Sequence, residues 1–86
     1  MLKRQSVKIE IVAGGQTQHL RIYGLTDDEE ETFYEKLEQI FGEDSLSSRV
    51  DDPRQTSYLE LWVRGEDIAV VEKQTMTILK GMQILL

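Results

Sequence analysis

Gln16-Thr17-Gln18-His19-Leu20-Arg21-Ile22-Tyr23 and, 39 residues further on, Gln55-Thr56-Ser57-Tyr58-Leu59-Glu60-Leu61-Trp62 are the two stretches whose joint reading decides the fold. In the last five residues of each, leucine or isoleucine takes every second position and a ring or a charge stands between, the period of a strand with one buried and one open face. Leu20 and Ile22 turn inward from the first, leaving His19, Arg21 and Tyr23 outward. Leu59, Leu61 and Val63 turn inward from the second, leaving Tyr58, Glu60, Trp62 and Arg64 outward.

Each of these strands has a partner before it. Val7, Ile9 and Ile11 alternate with Lys8, Glu10 and Val12, and Gly14-Gly15 permits the tight turn of a hairpin. Leu46, Ser48 and Val50 share a face ahead of the turn Asp51-Asp52-Pro53-Arg54, and their low apolar content beside a proline predicts an edge strand. On this reading Lys8, Arg21, Arg49 and Arg64 stand on the outer side of the sheet against Glu10, Asp51 and Glu60, an excess of one positive charge.

A helix follows each hairpin. Thr26 with Glu29 forms a capping box, Asp27 and Asp28 suit the positive end of the helix dipole, and Gly42 supplies a stop. Phe33, Leu37, Ile40 and Phe41 recur at helical spacing between them, which predicts a helix over 27–41. A second helix is expected over 66–80, with Ile68, Val71, Ile78, Leu79 and Met82 inward. The tail 82–86 extends that helix, adds an edge strand, or is the stub of a longer protein.

The expected architecture is an α+β two-layer sandwich of one domain, residues 1–86, in the order β-β-α-β-β-α. Its four-stranded sheet is antiparallel or mixed, with strand order 1-2-4-3 and both helices on one face. That order resembles a circular permutation of the ferredoxin-like fold, and the pseudo-repeats 6–42 and 45–81 imply an internal pseudo-symmetry. Six positions are identical between the repeats: Ser6, Gln16, Thr17, Leu20, Asp28 and Gly42 with their mates. A plain meander of two hairpins is the alternative topology.

Charge separates the two layers. The chain carries a net −6, but residues 26–44 alone carry −8, so the remainder is weakly positive. The overall sign argues against general phosphate binding, which needs clustered Lys and Arg. With no cysteine, disulfides and thiolate metal sites are excluded. The polar start, without signal-peptide or membrane-spanning character, leads us to expect a cytoplasmic protein with no membrane association.

The outward rings define the candidate binding surface: His19, Arg21, Tyr23, Tyr58, Trp62 and Arg64. Aromatic anchors rimmed by arginine fit a protein partner, or a second copy giving a homodimer. The first alternative is single-stranded RNA or DNA stacked on the same rings. A purely structural role as cross-strand pairs is the second. The stretch Leu61-Trp62-Val63-Arg64-Gly65-Glu66-Asp67 and the helix after it resemble the strand and helix that close many KH-type RNA-binding domains, which implies an RNA role. The Gly-x-x-Gly loop with which such domains grip RNA is absent from the sequence.

On the first helix Asp28, Glu31, Glu35 and Glu38 form one acidic stripe, read as a docking face for a basic partner, as a solubilising face, or as an acidic inhibitor's imitation of nucleic acid. No catalytic constellation, metal-ligand spacing or cofactor motif is legible: His19 is the sole histidine and no serine sits in a nucleophile-elbow pattern. The expectation is a small, acidic, non-enzymatic binding module of regulatory, adaptor or inhibitory type.

Overall fold

The computed structural model describes residues 7–14, 17–51 and 57–84. Its elements are β1 (Lys8–Gly14), β2 (Thr17–Tyr23), α1 (Asp27–Phe41), β3 (Ser45–Val50), β4 (Tyr58–Val63) and α2 (Ile68–Gly81), with a 3-10 turn at Gly42–Asp44. The sheet order is β1-β2-β4-β3 and every pairing is antiparallel, so the mixed sheet and the meander both fall away. β2 and β3 both run against β4 and therefore parallel to each other, with α1 crossing over the strand between them. Of the two expected turns, Gly15 and residues 52–54 lie outside the described residues.

The helices start and stop where local chemistry dictates. Thr26 Oγ1 accepts from Glu29 N at 3.2 Å while Glu29 Oε1 accepts from Thr26 N at 2.9 Å, the two halves of a capping box. Gly42 ends α1 at φ 64° and ψ −141°, a conformation nearly closed to other residues. The Asp67 carboxylate caps α2 by accepting from Ala69 N at 3.0 Å. An extended Asp67 is required for that bond, so α2 begins later than periodicity alone suggests.

Past α2, residues 82–84 neither lengthen the helix nor pair with the sheet. Ile84 N donates to Leu79 O and Gln83 N to Lys80 O, a Schellman motif with Gln83 at φ 63°. The reversal tucks Ile84 into the core, and Leu85 and Leu86 lie outside the described residues.

Leu20 and Ile22 of β2, Leu59, Leu61 and Val63 of β4, Phe33 and Leu37 of α1, and Val71, Ile78 and Leu79 of α2 make the core, so both helices cover one side of the sheet. Ile40, expected inward, is 47% exposed. Phe33, Leu37 and half-buried Phe41 centre the buried stripe near Leu37 and leave Ile40 on the flank. Thr75 sits fully buried on α2 with no partner for Oγ1 among the described residues.

β3 corrects the expected phase. Opposite β4, Ser45 faces Val63, Ser47 faces Leu61 and Arg49 faces Leu59, so these three belong to the helix side. Leu46, Ser48 and Val50 lie on the open side. Ser45 is buried and its Oγ donates to Gly42 O at 2.7 Å, while Arg49 reaches the first turn of α1. There its guanidinium binds Glu30 at 3.0 Å, Asp27, and Asp51 of the following turn at 3.0 Å. Asp51, then Glu30, hold the Arg49 pKa further above its ordinary high value. Arg49 is thus not one of the outer cations of the sheet.

Candidate functional site

The uncovered side of the sheet is built in three rows across the strand order, fixed by the pairing registers. Lys8, Tyr23, Tyr58 and Val50 form the first row; Glu10, Arg21, Glu60 and Ser48 form the second. Val12, His19, Trp62 and Leu46 form the third, in which His19 and Trp62 meet face to face. Two ring pairs thus flank a charged row.

Tyr23 and Tyr58 are tilted at 54° with centroids 5.2 Å apart, and His19 lies on Trp62 at 5.3 Å and 23°. Between them Glu60 serves both sides. Its Oε1 is 3.1 Å from His19 Nδ1, and its Oε2 is 3.5 Å from Arg21 Nε. A carboxylate only accepts, so the first contact requires the proton on Nδ1 of His19. The second is a charge contact, because Arg21 Nε, though shielded from solvent, makes no hydrogen bond among the described residues.

The Arg21 guanidinium also sits 4.7 Å over the Tyr58 ring, a cation–π placement. Tyr23 first, then Tyr58 and Glu60, raise its pKa, which keeps Arg21 a cation throughout the accessible pH range. His19, Arg21, Tyr23, Tyr58, Glu60 and Trp62 are each only half-buried. These side chains are fixed by one another, not by the core, and so present a preorganised surface.

The structure brings five of the six expected surface residues together: His19, Arg21, Tyr23, Tyr58 and Trp62. Arg64 lies exposed just past the end of β4, its N–H donating to Asp44 O at 2.9 Å, and no ring contact or ion pair joins its side chain to the patch among the described residues. Three further residues belong to the patch: Leu46 beside Trp62, Val50 beside Tyr58, and Glu60 at the centre. The phase of β3 hid the first two, since its alternation of Leu, Ser and Val reads equally well with either face inward.

With Arg49 on the helix side and Arg64 in a turn, the strands offer Lys8 and Arg21 against Glu10 and Glu60, no net charge. Among the described residues no three His, Asp or Glu side chains stand together as a metal site would need. No helix there is long and apolar enough to cross a membrane.

On α1, Asp28, Glu31, Glu35 and Glu38 are exposed as one stripe, while Asp27 and Glu30 turn toward Arg49 and Glu29 serves the cap. No ion pair joins the four stripe residues to another described residue. The acidic layer therefore divides into a structural half and an outward half. Comparison of the chain with protein-family models, curated proteins and solved structures finds no match.

Proposed function

We propose that this protein is a non-enzymatic binding module that recognises a protein partner through the open face of its sheet. The observation that carries the reading is the pair of ring contacts, Tyr23–Tyr58 and His19–Trp62, left uncovered on the two central strands. Half-buried aromatic side chains held rigid by neighbours lose little entropy on binding and are the residue types that dominate interface energies. Leu46 and Val50 extend the apolar area toward β3, and Arg21 and Glu60 give it polarity and register.

Between backbone centres the three rows span roughly 14 Å by 14 Å, about 200 Å², against the ~800 Å² each partner contributes to a standard interface. The ring patch is the anchoring centre of a larger contact. The acidic stripe of α1 supplies a second, long-range contribution that steers a basic partner. On this reading the role is regulatory, adaptor or inhibitory.

The fold itself fits a circularly permuted ferredoxin-like sheet with internal pseudo-symmetry. The 39-residue repeat relates His19 to Tyr58, Arg21 to Glu60 and Tyr23 to Trp62. It therefore carries the Tyr23–Tyr58 pair onto the Trp62–His19 pair, two versions of one cross-strand contact about an axis near Arg21 and Glu60.

Single-stranded nucleic acid is disfavoured by Glu60, whose carboxylate occupies the middle of the would-be stacking platform and engages Arg21. The test compares wild type with Trp62→Ser and Tyr58→Ser. A partner captured from the native host should be lost from both variants by about 30-fold or more in affinity, with the melting temperature little changed. Salt-dependent quenching of Trp62 by oligonucleotide, with no protein captured, would replace this reading with the nucleic-acid one.

A further inference from the structure

β1 and β3 are the two edges of the sheet, and they are protected very differently. β3 is serine-rich, and its arginine is held by three carboxylates. β1 reads Lys-Ile-Glu-Ile-Val-Ala-Gly over seven residues, without a proline, and among the described residues no strand pairs with its outer side. Such an edge is a template for another strand unless something blocks it. Its helix side is also unfinished: Ile9 is half-buried, Ile11 is 41% exposed and Met76 of α2 is 38% exposed. Val7, Ile9 and Met76, with Lys8 and Glu72, line an open groove between β1 and α2.

We propose that a second copy of this chain pairs with that edge, antiparallel, about a two-fold axis at Ile9, making one continuous eight-stranded sheet. Charge selects the register. Directly opposed residues of antiparallel strands point to the same side, so each residue must meet one of its own parity. An axis at residue 8 sets Lys8 against Lys8, and one at residue 10 sets Glu10 against Glu10. An axis at residue 11 sets Glu10 against Val12, with no opposite charge facing it.

Only the axis at Ile9 sets Lys8 of each copy against Glu10 of the other, twice, because of the symmetry. It also extends the charged row of the open face in strict alternation: Glu60, Arg21, Glu10, then Lys8 of the second copy. On the helix side it sets Ile9 against Ile9 and Ile11 against Val7, joining the two apolar shelves. This association is independent of what the open face binds.

The test uses the full chain, which has no native cysteine. In this register Cα atoms at position 9 lie about 5 Å apart, within disulfide reach, and those at position 11 about 14 Å apart, beyond it. Ile9→Cys should therefore cross-link into a covalent dimer under mild oxidation and Ile11→Cys should not. In sedimentation equilibrium Glu10→Lys should weaken the dimer about tenfold, and Lys8→Glu added to it should restore the affinity.

These two side chains lie outside the core, so the charge exchange remains decisive should Ile9→Cys fail to fold. A chain that stays monomeric at every concentration up to about 1 mM, with Kd above the range of a weak specific complex, overturns the proposal. So does cross-linking at position 11 instead of 9, or a dimer that Trp62→Ser abolishes and Glu10→Lys leaves intact.

Discussion

Leu61 and Trp62 are consecutive residues of β4, yet one is completely buried beneath the helices and the other lies on the open side among rings and charges. The covered face is aliphatic and closes on Phe33, Leu37, Val71, Ile78 and Leu79. The open face is held by pairwise contacts: two ring pairs and one carboxylate shared between an imidazole and a guanidinium. Burial is what stabilises the first. The second contributes little to folding, because exposed charge pairs and ring contacts are each worth about 1 kcal/mol or less, and so is available for recognition.

The strongest way to break this comparison is to truncate the neighbours in turn. Leu61→Ala should destabilise the fold by about 2–5 kcal/mol, read by denaturant unfolding, since it removes contacts on every side of a closed site. Trp62→Ala should cost about 1 kcal/mol or less, while removing the partner. Equal losses would mean that the open face is a second core and not a recognition surface.

A gain is expected from the covered face as well. Thr75 is the buried polar side chain of α2 whose Oγ1 has no partner among the described residues, beside Leu79 and Val71 in the same closed layer. Thr75→Val exchanges the hydroxyl for a methyl of similar volume and should stabilise by about 1–2 kcal/mol. An unchanged or lower unfolding free energy would show that the hydroxyl is satisfied in solution, by water or by the preceding turn.

These contrasts also explain what was legible beforehand. Strong alternation in β2 and β4, the Thr26–Glu29 box and Gly42 are local signals, and local signals survive into the structure because nothing in the packing opposes them. Once two hairpins and two helices are set, right-handed crossover leaves few sheet orders, and β1-β2-β4-β3 was one of them. β3 was illegible for the opposite reason. Leu46 and Val50 are no more apolar than an open face tolerates, and Ser45, Ser47 and Arg49 are no less so than a covered edge tolerates. In the observed phase Arg49 meets Asp27 and Glu30, a long-range pairing that no periodicity contains. The tail was hidden likewise, since glutamine at the left-handed Gln83 position carries none of the signal that glycine would.

That glutamine offers a smaller test of the helix layer. A non-glycine residue at φ 63° bears a steric cost of about 1 kcal/mol, so Gln83→Gly should stabilise the fold by up to about that amount, offset in part by greater unfolded-state entropy. Gly42→Ala, at the matching end of α1, should do the reverse by about 1–3 kcal/mol, although no neighbour stands within 4 Å of the added methyl. Thermal unfolding of both variants checks whether backbone conformation, with no clash involved, sets these helix ends.

The smallest effect concerns the one charged side chain that β3 sends to the covered side. Arg49, and after it Ser57, hold the Asp51 carboxyl below the ordinary aspartate value. A carboxyl lowered on folding contributes stability that is fully present above its unfolded pKa, about 3.9, and is lost as the pH falls through the lower folded value. Wild type should therefore melt slightly above Asp51→Asn at pH 7, and the two should converge as the pH drops below about 4. The difference should also shrink at high salt, because Asp51 is exposed and its attraction to Arg49 is screened. No gap at pH 7 would assign the edge's order to the Asp27 and Glu30 contacts alone. The clasp between β3 and α1, which separates this edge from the open one at β1, would then belong to the helix and not to the turn.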